Sequence, residues 1–121
     1  MEPLILEKAK RYAIRIVNAN KYLVDTYHEY RMSDQLLRSG TAVQALISEA
    51  QYAQSKADFV SKMSIALKEA NESRNWLELL HNTGYIPDNA FHSIINDANE
   101  IVVTLIKIIR TSKRNGDKGT S

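Results

Sequence analysis

The chain has 121 residues, 44% of them apolar and 25% charged, with a formal net charge of +2 and no cysteine. That length fits one domain able to bury a single core, and the composition excludes disordered and fibrous classes. The missing thiols exclude disulfide scaffolds, zinc fingers, thiol nucleophiles and redox pairs, and the small positive charge falls short of a dedicated nucleic-acid binder.

Apolar residues recur with a period of about 3.6 from end to end and nowhere alternate steadily, so the chain reads all-α. The first helix is predicted from about Leu4 to Tyr27, with Ile5, Ala9, Tyr12, Ile16, Ala19, Leu23 and Tyr27 on one stripe. A second is predicted to start near Ser33 as N-cap, with Asp34 in its first turn and Leu36, Gly40, Val43, Ile47 and Ala50 facing inward. Ser55 and Asp58 have the spacing of a capping box and open a third helix, whose stripe is Phe59, Met63, Ala66, Ala70 and Leu77. It closes at Asn82-Thr83-Gly84, and Pro87 with Asp88 starts a fourth helix that buries Phe91, Ile94, Ala98, Ile101, Leu105 and Ile108.

The last helix is expected to end near Ser112, so a helical domain covers 1–112 and residues 113–121 form a flexible basic tail. Short connections turn each helix back on the one before, which implies an antiparallel up-down-up-down four-helix bundle. The start of the chain lacks the pattern of a secretory signal. The apolar cluster from Ile101 to Ile109 is about half the length of a membrane span. No membrane contact is expected, and the cytoplasm is the expected location.

Two helices are more apolar than a monomeric bundle requires. Ile101, Val102, Leu105, Ile106, Ile108 and Ile109 spread over roughly 160° of the fourth helix, with Val103 further round. The third helix has a second face on which Ile65, Trp76 and Leu79 stand beside Glu69 and Glu72. An aromatic anchor among apolar neighbours points to self-association, so Ile65, Trp76, Leu79 and Val103 are the expected oligomer contacts. Arg38 and Glu49 share one side of the second helix with Ala42 and Ala45, and Arg38, Glu49, Glu69 and Glu72 are read as a structural polar network.

A carboxylate-bridged di-iron centre needs two Glu-x-x-His motifs with two further glutamates, and only Glu78 with His81 fits that spacing. His28 and His92 lie near helix ends without such a partner, so neither a metal nor any other cofactor is expected. The chain has no Gly-rich phosphate loop and no triad pattern, which argues against an enzyme. Lys8, Arg11 and Arg15 share a face of the first helix, and Lys107, Arg110, Lys113 and Arg114 gather at the end of the fourth. In an up-down bundle these two groups fall at one end and form a candidate nucleic-acid contact, set against the plainer reading of solvated helix faces.

The segment Gln35-Leu-Leu-Arg-Ser-Gly-Thr-Ala-Val, the Ser55-Lys-Ala-Asp-Phe-Val opening of the third helix, Ile65-Ala-Leu-Lys-Glu-Ala-Asn-Glu-Ser and Trp76-Leu-Glu-Leu-Leu resemble the four helix bundle protein family. That family is also described as 23S rRNA intervening-sequence proteins, formerly labelled a ribosomal protein. The resemblance implies a ring-like homopentamer of four-helix monomers without enzyme activity. A related branch, the accessory protein of diversity-generating retroelements, binds nucleic acid and a reverse transcriptase through a basic surface. The chain departs from the family's Ser-Ile-x-x-Asn-Ile run, with Ala42-Val43 and Leu46-Ile47 in its place, whereas Arg38, Glu49, Glu69 and Glu72 match the pattern. Two functional readings follow: a homo-oligomeric scaffold whose basic ends touch RNA or DNA weakly, with or without a protein partner, and a purely protein-binding or structural oligomer.

Overall fold

The computed structural model describes residues 3–119, with side chains from Leu4 to Asn115. Four helices follow one another: α1 (Pro3–Tyr27), α2 (Arg31–Ala50), α3 (Lys56–Asn82) and α4 (Asp88–Gly119), with no strand among the described residues. Each helix packs against its neighbours in sequence, α4 closes against α1, and the diagonal pairs lie further apart, so the four axes mark the corners of a square. The α1–α4 contact is the loosest of the four.

The core sits on the stripes read from the sequence, except that Tyr27 is 45% exposed and Ala19, Phe59, Phe91 and Ile108 are only partly buried. Ile5, Ala9, Tyr12, Ile16 and Leu23 of α1 meet Leu36, Val43, Ile47 and Ala50 of α2 and Met63, Ala66, Ala70 and Leu77 of α3, all buried. Gly40 lies at a close approach of α1 and α2, because a Cβ there would stand 2.7 Å from both Cγ carbons of Ile16. One polar link crosses the core diagonally: the Tyr12 hydroxyl and the Ser73 hydroxyl are 2.8 Å apart, and Ser73 Oγ also bonds the carbonyl of Ala70. Burial pushes the Tyr12 hydroxyl up to about 12, with the Ser73 bond pulling the other way.

The turns explain where the helices begin and end. Ser55 Oγ accepts the Asp58 amide at 3.0 Å, as a capping box requires, while the Asp58 carboxylate accepts the Gln54 amide at 3.1 Å and is held below its ordinary range chiefly by that bond. Gly84, at φ +88°, closes α3 with the Tyr85 amide on the Leu80 carbonyl and the Gly84 amide on His81, the paired bonds of a Schellman end. The expected Ser33 cap is corrected: Tyr30 stands at the N-cap position, three residues earlier, Ser33 is buried in the first turn, and the Glu29 carboxylate accepts the Met32 and Ser33 amides at 3.0 and 2.8 Å. The glutamate thus satisfies orphan donors three residues before those a Ser33 cap would reach. The fourth helix also continues past its expected end at Ser112 as far as Gly119, while residues 120 and 121 of the expected tail lie outside the described residues.

Candidate functional site

Along α3, the positions 65, 69, 72, 76 and 79 alternate steps of four and three residues and so form one outward stripe. Ile65 and Leu79 are each 44% exposed, and Trp76 is half-buried with one side against the core. Between them the Arg38 guanidinium of α2 bonds Glu69 at 2.9 Å and also pairs with Glu72, whose Oε2 accepts the Trp76 indole N–H at 3.3 Å. The guanidinium holds Glu72 below the ordinary carboxylate range, with the indole bond acting in the same direction. Glu69 is nearly covered while Arg38 stays half exposed, so the network is anchored at the α2–α3 seam and open to the outside.

Two of the expected residues stand apart from this network within the chain. Glu49 is exposed and takes part in no ion pair among the described residues, lying about three turns along α2 from Arg38. Val103 is 51% exposed but lies apart from the stripe: Asn99, one turn before it, accepts from Arg74 on the side of α3 turned to α4. The wide apolar arc of α4 is mostly used within the chain, since Val102 and Ile109 are 6% and 8% exposed.

The basic residues divide in the same way. Arg15 bonds Asp97 at 2.6 Å and the side chain and carbonyl of Ser93, and Lys8 pairs with Glu100 at 2.5 Å. These contacts tie α1 to α4, and Lys8 holds the Glu100 carboxyl below its ordinary range. Lys8 and Arg15 are therefore structural ties, with Arg11 beside Glu100 along the same seam. Lys107, Arg110, Lys113 and Arg114 are exposed on α4 and form no ion pair among the described residues.

At the α3–α4 turn, the His81 ring stacks on Phe91 at 4.0 Å and its Nε2 lies 2.7 Å from the Asp88 carboxylate, which the histidine holds below its ordinary range. His81 thus fastens the start of α4, while Glu78 is exposed, and no group of three or more metal-ligating side chains converges among the described residues. Two apolar grooves open on α1. One, of about 320 Å3, lies against α4 and the preceding turn and includes Ala19, Tyr22, Ile86 and Ile94; the other, of about 310 Å3, lies against α2 and includes Ala13, Ile14, Val17, Thr41 and Gln44.

The model of the 23S rRNA-intervening sequence protein family matches residues 2–107, nearly the whole bundle. The chain belongs to that family. The chain is also similar to a crystal structure of a protein of unknown function from the S23 ribosomal protein family, from Bacteroides thetaiotaomicron, at 52% identity, covering 87% of this chain and 97% of that one with a TM-score of 0.86. No curated protein matches the chain. The family description names no catalytic activity. In this member of the family, sequence reasoning missed Asp97, Ser93 and Glu100 as partners of the α1 cations. Their signal was present: Ser93, Asp97 and Glu100 share a face of α4 at steps of four and three, the spacing that Lys8, Arg11 and Arg15 show on α1.

Proposed function

We propose that this family member is a non-enzymatic homo-oligomeric scaffold: an antiparallel up-down-up-down bundle that assembles in the cytoplasm as a ring-like homopentamer. The observation that carries the reading is the outward stripe of α3, where Ile65 and Leu79 are exposed and Trp76 is half-buried around an ion network at the α2–α3 seam. Tryptophan and arginine are enriched at interface centres. The antiparallel order is supported by the ties between helices, in which Lys8 meets Glu100 while Arg15 meets Asp97, so that one number rises as the other falls. The link to ribosomal RNA in the family description supports the cytoplasm.

Weak nucleic-acid contact is a second property of the same scaffold, carried by Lys107, Arg110, Lys113 and Arg114, which stand exposed on α4 with no partner among the described residues. Repetition around an assembly multiplies a patch that is small in one chain. Solution mass by light scattering tests the scaffold, and a monomer at micromolar concentration overturns it. Titration with labelled RNA and DNA tests the second property: binding should weaken steeply with salt, and Lys113→Gln with Arg114→Gln should lower the salt slope by about 2. An assembled protein that ignores RNA and DNA at low salt instead supports the protein-binding scaffold.

A further inference from the structure

We infer that the groove between α1 and α4 is a binding site for a small, uncharged aromatic molecule with a hydrogen-bond acceptor at one end. The groove measures about 320 Å3, a size found among small-molecule sites. It opens where the helix contact is loosest, and so reaches inward to Ile86 and Ile94, which are 6% and 5% exposed and form its floor. Ala19 on α1 and Ala90 on α4 line its sides and leave the space open, since neither side chain extends beyond Cβ. This seam lies across the bundle from the α3 stripe, so the site needs no second copy.

The two ends of the groove differ in chemistry. Toward the helix turn it is bounded by Tyr22 and Pro87. The Tyr22 ring is braced by Tyr27 at 6.0 Å and Tyr27 in turn by Tyr85 at 5.2 Å, both pairs close to perpendicular. A wall held in place beforehand lowers the ordering cost of binding, and an aromatic guest gains ring contact with it. At the other end stands Arg15, whose three bonds to Asp97 and Ser93 leave at least two of its five N–H donors. The Asn18 side chain beside it is exposed and enters no hydrogen bond among the described residues. Donors in excess at this end call for an acceptor on the guest.

Charge disfavours an ion in this place. Within one turn of the lining residues on either side stand Arg11, Arg15 and Lys21 against Asp25, Asp88 and Asp97, three charges of each sign. Arg15 and Asp97 are paired directly, and Asp88 is held by His81. An ionic guest would lose water without meeting a net opposite charge, whereas a neutral ring with a carbonyl gives up little hydration and meets free donors. The α1–α2 groove is of similar volume, about 310 Å3, but is lined by no aromatic and no charged side chain.

Prodan, an uncharged naphthalene ketone whose emission moves to shorter wavelength in apolar surroundings, is a suitable probe. Titration with the protein should give a blue shift that saturates at one probe per chain. Anilinonaphthalene sulfonate, an anion with comparable rings, should bind at least ~10-fold more weakly. Ala90→Trp fills the groove from an exposed position and should remove the shift. Tyr22→Leu and Asn18→Leu should each weaken binding about 5-fold, through loss of a ring contact or of a hydrogen bond. Ile14→Ser, in the other groove, should bind as the parent does, and circular dichroism first checks that every variant keeps the parent's helical signal. Prodan emission that the parent leaves unchanged, a sulfonate that binds as tightly as the ketone, or binding that neither Ala90→Trp nor Tyr22→Leu weakens overturns the site. A shift lost in Ile14→Ser places the probe in the α1–α2 groove and overturns it as well.

Discussion

A methyl group at Gly40 measures how tightly α1 and α2 are locked. The added Cβ would lie 2.7 Å from both Cγ1 and Cγ2 of Ile16 and 3.1 Å from its Cβ, against about 3.5–4.0 Å for a relaxed carbon contact. Ile16 is fully buried and β-branched, so its carbons cannot swing aside and the helices must part or a rotamer must be strained. Overpacking of this kind costs about 1–3 kcal/mol, and two contacts nearly 1 Å too short place this site toward the upper end. Replacing a mid-helix glycine by alanine returns about 1 kcal/mol of helix propensity, which leaves a net loss of about 2 kcal/mol. With a urea dependence of about 2 kcal/mol/M, the unfolding midpoint of Gly40→Ala should fall by about 1 M at fixed protein concentration. In an Ile16→Ala background the same change should be neutral or stabilising by up to about 1 kcal/mol, since the space is then open. A Gly40→Ala midpoint equal to or above that of the parent would refute the close approach.

Arg15→Gln should lower stability by about 1 kcal/mol in urea, because it releases Asp97 and Ser93 at the loosest helix contact. Lys113→Gln should change the midpoint by less than about 0.5 kcal/mol, as surface positions without partners do. Acid should destabilise the fold through Glu72 and Glu100: their pKa values are lowered in the folded state, so their contribution is complete above the ordinary value of 4.5 and is lost as pH falls through the lowered values. At the alkaline end the sign reverses. Tyr12 is raised from 10.0 to about 12, so roughly 3 kcal/mol should be lost as pH climbs across that window, and Tyr12→Phe should remove that slope in urea melts at stepped pH.

The core was legible because burial imposes a period. Leu36, Gly40, Val43, Ile47 and Ala50 could face one way only if α2 was a helix with a single inner stripe, and all five are buried. The ends were legible where local chemistry acts within a turn, as at Ser55 and Gly84. The Ser33 cap failed because the Glu29 carboxylate takes the Met32 and Ser33 amides and starts the helix upstream of Ser33, whose hydroxyl donates to the Glu29 carbonyl instead. The candidate site was less legible. Trp76 and Leu79 were singled out on the second face of α3, yet the carboxylate partners of Lys8 and Arg15 were not foreseen, because they lie roughly eighty to ninety residues away, a relation that charge composition alone does not carry.

By itself the sequence determined four helices, their inner stripes, the capping at Ser55 and Gly84, and membership of the 23S rRNA-intervening sequence protein family. These follow from forces that act within a few residues, or from a pattern repeated along one helix. Tertiary structure alone decided which charges are spent in holding α1 to α4, which part of the apolar arc of α4 is used inside the chain, and where Val103 and the α3 stripe come to lie. Each of those depends on which helix faces touch, and a side chain on a helix surface has no fixed role until its neighbour across the contact is set.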